Sequence, residues 1–117
     1  MQYVLLAYAD EQQAALPSSE SEALRNACRE NNQELRASGR LLAVKVLQSS
    51  CAATTIRFQH GQLTIAAGPL AETREQLIAI FTITARDLNE AIQVAATMPQ
   101  ARGGPIEVRP IVAYEQS

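Results

Sequence analysis

Apolar residues run without a polar gap through Tyr3-Val4-Leu5-Leu6-Ala7-Tyr8, so both faces of the segment from Gln2 to Ala9 are hydrophobic. A strand patterned this way is central in its sheet and covered on both sides. Leu77-Ile78-Ala79-Ile80-Phe81-Thr82-Ile83-Thr84 repeats the pattern and is the most apolar strand-like run of the chain. Between them, Leu24, Ala27, Cys28, Asn31 and Leu35 recur at helical spacing. Ser19, with Glu22 three residues later, offers a capping box at the start of that helix, after Pro17 and Ser18, and Gly39 suits its end. Leu41 to Leu47 reads as the second strand. Thr54 to Gln59 and Gln62 to Ala66 flank His60-Gly61, a tight hairpin signal. Asp87 caps a second helix with the stripe Leu88, Ala91, Ile92 and Ala95, and Met98-Pro99 ends it. Ala101 to Gly104 reads as a flexible loop, and Asp10 to Leu16 as a polar connection. In the last strand, Ile106 to Val112, Ile106 and Val108 face one way and Glu107 and Arg109 the other.

The order is strand, helix, strand, inserted hairpin, strand, helix, strand. Right-handed crossovers put both helices on one face of the sheet, which predicts an α+β ferredoxin-like βαββαβ sandwich with an inserted β-hairpin. The two apolar strands then sit at its centre. The face without helices needs a cover, and a second copy of the chain is the simplest one.

Composition narrows the classes of function. At 117 residues the chain reads as one domain, 1–117. Its charged fraction of 19% is low for a small domain, which fits a surface partly covered by another subunit. A net charge of −2 gives no electrostatic case for nucleic acid. No window approaches a membrane span, so a cytoplasmic protein is the default expectation. Cys28 and Cys51 lack metal-ligand spacing and read as thiols, with Cys28 a small residue of the core.

The chemistry concentrates in Ala66-Ala67-Gly68-Pro69-Leu70-Ala71-Glu72-Thr73-Arg74-Glu75-Gln76. Gly68 and Pro69 make a stiff turn, and polar groups follow at once. If Glu72 to Glu75 form a helical turn, both glutamates lie on one side. This stretch resembles the signature of YCII-related proteins of the DGPF-domain type, Asp-Gly-Pro-Phe followed by Ala-Glu-Thr-Lys-Glu-Gln-Leu. Tyr3 to Tyr8, Asn32 to Gly39 and Ala101 to Pro110 resemble further parts of the same family, so the likeness spans nearly the whole chain. Ala67 and Leu70 replace the name-giving aspartate and phenylalanine. The resemblance implies a bacterial protein, a dimeric α/β barrel and, from neighbouring sigma-factor genes in the family, a regulatory setting. Some relatives are thought to use a His-Asp pair, and no histidine stands at a matching place here.

His60, the only histidine, falls at the hairpin tip. It makes a poor triad base, zinc ligand or haem ligand, so no metal and no cofactor is expected. Acid/base chemistry then falls to Glu72 or Glu75, with a hydroxyl from Tyr8. Ligand binding falls to Gly68, Pro69, Glu72, Arg74, Arg102 and Arg109, the arginines suiting a small anionic or carbonyl-bearing molecule. Two functions compete: a small-molecule-binding or regulatory module, and a cofactor-free enzyme of the lyase, isomerase or monooxygenase type.

Overall fold

The structure, a computed structural model, describes residues 1–14 and 19–113. Its strands are β1 (Gln2–Asp10), β2 (Leu41–Val46), β3 (Thr54–Gln59), β4 (Gln62–Ala67), β5 (Glu75–Thr84) and β6 (Ile106–Pro110). Its helices are α1 (Glu11–Ala14), α2 (Ser19–Ala37) and α3 (Leu88–Thr97). β1, β2, β5 and β6 form an antiparallel sheet in the order β2–β5–β1–β6. The α+β arrangement is compatible with a ferredoxin-like fold, with the two apolar strands at its centre.

One face of the sheet carries the core. Tyr3, Leu5 and Ala7 of β1 alternate inward with Ala79, Phe81 and Ile83 of β5. Ala91, Val94, Ala95 and Met98 close over them. The α3 stripe is therefore rotated from the expected one: Val94 is buried, while Leu88 and Ile92 are exposed. Both stripes satisfy helical spacing, and packing on the sheet selects between them. α2 buries no residue fully. Leu35 packs against the core from that helix, and Cys28 is half-buried rather than a core residue. Both cysteines are free, and burial pushes the Cys28 thiol up.

The ends of the helices follow local chemistry. The Asp87 carboxylate accepts the Glu90 N–H at 2.9 Å, the expected cap. Glu90 turns back to the Arg86 N–H and guanidinium rather than to Asp87, and the Arg86 hydrogen bond holds its carboxyl below the usual range. Gly39 closes α2, its N–H donating to the Arg36 carbonyl. Ser19 is already helical, and Pro17 and Ser18 lie outside the described residues. The connection after β1 is not irregular throughout: the Asp10 carboxylate accepts the N–H groups of Gln12 and Gln13 and starts the single-turn helix α1. Among the described residues no helix is long and apolar enough to cross a membrane.

Among the described residues β3 and β4 pair only with each other, around His60 and Gly61. Both turn residues have positive φ, 53° and 75°, as a two-residue hairpin turn requires. On the sheet face opposite the core, Val4, Leu6 and Tyr8 stand beside Thr82, Ile80 and Leu77, all half-buried.

Candidate functional site

A pocket of about 510 Å³ opens where β1 ends and β5 and β6 begin. Tyr8, Thr73, Arg74, Glu75, Pro105, Ile106 and Glu107 line it. Its size falls within the range of small-ligand sites.

Register explains how it is assembled. β6 runs antiparallel to β1 with Leu6 opposite Glu107 and Val4 opposite Arg109. Glu107 and Arg109 thus share the helix-free face with Leu6 and Tyr8. The Tyr8 hydroxyl donates to Glu107 Oε1 at 3.3 Å, and the Arg109 guanidinium donates to the other oxygen of the same carboxylate. Across the pocket, Arg74 pairs with Asp10 at 3.4 Å. A shift of register between Ala7 and Tyr8 sets Tyr8 opposite Leu77. The Tyr8 N–H donates to the Pro105 carbonyl at 3.0 Å. Gly104 presses directly on this backbone: a Cβ at Gly104 would lie 1.9 Å from the Tyr8 carbonyl oxygen.

Residues 68–74 are not helical, which corrects the expected turn from Glu72 to Glu75. The loop is held by side chain to backbone bonds instead. Gln76 Nε2 donates to the carbonyls of Ala71 and Thr73, and Thr73 Oγ1 donates to the Glu75 carbonyl. Gly68 has φ 107°, where a side chain would be strained, and its N–H and carbonyl tie the loop to Ala53 and Thr55 at the hairpin base.

The candidates therefore divide. Tyr8, Arg74 and Glu75 meet in the pocket. Arg109 reaches it through Glu107. Gly68, Pro69 and Glu72 do not line it; the Glu72 carboxylate lies over Gly68. Arg102 sits in a short 3-10 turn from Pro99 to Arg102, near Cys28 of α2, and also does not line it. That turn replaces the flexible loop expected there. Pro105, Ile106, Thr73 and Asp10 are the residues that sequence reasoning missed. The alternation of β6 beside Tyr8 was the available signal for the Glu107 side of the pocket.

Burial, then the charge and hydrogen bond of Glu107, raise the Tyr8 phenol above its ordinary value of 10.0, while Arg109 opposes them. Tyr8 is thus a proton donor at neutral pH. Absorbance titration of wild type against Tyr8→Phe is expected to show it ionising above pH 10. Glu107→Gln should bring that ionisation down, and Arg109→Ala should move it further up. Because the folded value is raised, stability linked to Tyr8 is intact below pH 10 and falls as pH rises through the folded value. Ionisation at or below pH 10 would remove the Tyr8–Glu107 contact from the site.

Comparison with known proteins adds the lineage. A family profile described as the YCII-related domain matches residues 1–115. The "uncharacterized protein R00369" of Rhizobium meliloti (strain 1021) is 33% identical over 119 residues, covering 98% of this chain and 95% of that protein.

Proposed function

The chain belongs to the YCII-related family, and we propose that it is a small-molecule-binding or regulatory module of the DGPF type, working as a cytoplasmic homodimer. The observation that carries this reading is the pocket in which Tyr8, Glu107 and Arg109 form one chain of hydrogen bonds. Pro105 and Ile106 give it apolar wall, and Tyr8, Glu75 and Arg74 give it polar points of attachment. Arg74 is exposed and, among the described residues, is held by Asp10 alone. Such a pair is worth roughly 0–1 kcal/mol, so a ligand carboxylate can take the guanidinium over in a bidentate geometry. A small organic acid or carbonyl compound fits this set.

The homodimer reading comes from the helix-free face. Val4, Leu6, Leu77 and Ile80 form its apolar centre, and two such faces packed together make the dimeric α/β barrel.

Thermal-shift screening of small organic acids tests the binding function. A ligand at a hundredfold its dissociation constant stabilises by about 2.7 kcal/mol. Arg74→Ala is expected to weaken a hit at least roughly tenfold, the effect of losing a charge-assisted pair. Glu72→Ala should leave it unchanged, because Glu72 does not line the pocket. Equal responses from wild type and Arg74→Ala would place the ligand elsewhere.

A second reading, a cofactor-free enzyme, has one observation in its favour. Tyr8 presents a protonated phenol to the pocket, backed by a carboxylate and a guanidinium, as a general acid would be. Turnover of a bound acid that Tyr8→Phe abolishes would decide for it.

A further inference from the structure

We propose that the β3–β4 hairpin is a dimerisation arm whose apolar face is covered by a second copy of this chain. The inference rests on the homodimer reading and extends it to a surface outside the main sheet.

The register of the hairpin sorts its side chains by face. Ile56 lies opposite Ile65 and Phe58 opposite Leu63, so these four share one face with Thr54 and Ala67. Thr55, Arg57, Gln59, Gln62, Thr64 and Ala66 make the other face. The hairpin is strongly amphipathic, yet its apolar side is open: Ile56 is 62% exposed, Phe58 72%, Leu63 59% and Ile65 67%. None of the four belongs to the core or packs against it. A two-stranded hairpin with an uncovered apolar face is marginal in water. Together these side chains present on the order of 400 Å² of apolar surface, the size at which a patch marks an interface.

Three features point to a second copy as the cover. The chain itself carries another apolar surface without a cover among the described residues, the helix-free face around Leu6 and Ile80 with Lys45 and Glu107 at its flanks, and the apolar face of the hairpin carries no charge. The hairpin also leaves β2 beyond Val46 and re-enters the sheet at Glu75 of the adjacent β5, so it is attached at one end of that sheet. Six-residue strands span about 20 Å, close to the width of a four-stranded sheet. Finally, a two-fold pair uses each patch twice. One arm and one sheet face per protomer approach the ~800 Å² per partner that stable dimers bury. Gly68, bonded to Ala53 and Thr55 across the hairpin base, ties the two ends of the arm together.

The test places a photo-crosslinking amino acid at Phe58 in the full chain, with light scattering in parallel. Irradiation is expected to give a covalent species of twice the chain mass. The double variant Phe58→Ser, Leu63→Ser is expected to keep the wild-type circular dichroism, because the hairpin lies outside the core. It should raise the dimer dissociation constant at least roughly thirtyfold, the effect of losing a buried aromatic anchor. If scattering reports a dimer but crosslinks stay within one chain, or the double variant dimerises like wild type, the arm is overturned and the dimer stands. A wild-type monomer at micromolar concentration overturns both. Crosslinking in cells to a different protein, with none to a second copy, also overturns the arm.

Discussion

Gly104→Ala is expected to destabilise the protein by about 3 kcal/mol or more, the upper range for forcing an atom into packed structure. The added methyl would meet the Tyr8 carbonyl oxygen at 1.9 Å and its carbonyl carbon at 2.9 Å. These are backbone atoms of a central strand and cannot swing aside. The Tyr8 N–H is bonded to the Pro105 carbonyl beside it, so relief requires β6 to part from β1. For a domain of this size the melting temperature should fall by roughly 12 °C. Gly103→Ala is the control. Its Cβ would meet Leu24 at 3.5 Å, an ordinary contact, and its φ of −93° suits any residue. Thermal unfolding of the two variants side by side checks this, and similar melting temperatures would refute the close approach. Gly104→Ala should also weaken any ligand of the pocket, since Tyr8 and Pro105 line it.

Ile80→Glu is expected to convert the proposed dimer to a folded monomer. Ile80 lies on the helix-free face, opposite Leu6 on one side and Lys45 on the other. A glutamate there gains Lys45 as a cross-strand partner, worth a few tenths of a kcal/mol, so the single sheet tolerates it. Buried between two sheets, the same carboxylate costs several kcal/mol in each protomer. The dissociation constant should rise at least roughly a thousandfold. Sedimentation velocity at micromolar concentration reads this directly. A dimer that survives Ile80→Glu would assign the interface to another surface.

The strands were legible because their chemistry is short-range. β1 and β5 announce themselves by two-sided apolar runs, and His60-Gly61 by the turn it requires. Distant contacts were not legible. Gly103-Gly104 before a strand reads as flexibility, whereas Gly104 is a point of backbone contact with a residue near the other end of the sequence. Arg102 is next to those glycines and looks like part of the same site, but the 3-10 turn carries it toward α2. Glu72, Arg74 and Glu75 look equivalent along the chain. A non-helical loop pinned by Gln76 puts Arg74 and Glu75 at the pocket and leaves Glu72 over Gly68. Such selections are made by register and packing, and neither can be read from one segment alone.

β1 is synthesised before every other strand of the fold, yet its two neighbours are β5 and β6. Neither neighbour is close to it in sequence. On the ribosome, Tyr3 to Tyr8 therefore lack their native partners until residues 75–84 and then 106–110 have followed. Closing such long loops makes folding slow for a chain of this length. Six consecutive apolar residues without proline or charge are also the kind of segment that aggregates while unpaired. The central position that makes β1 the backbone of the pocket also makes it the most exposed liability of the nascent chain.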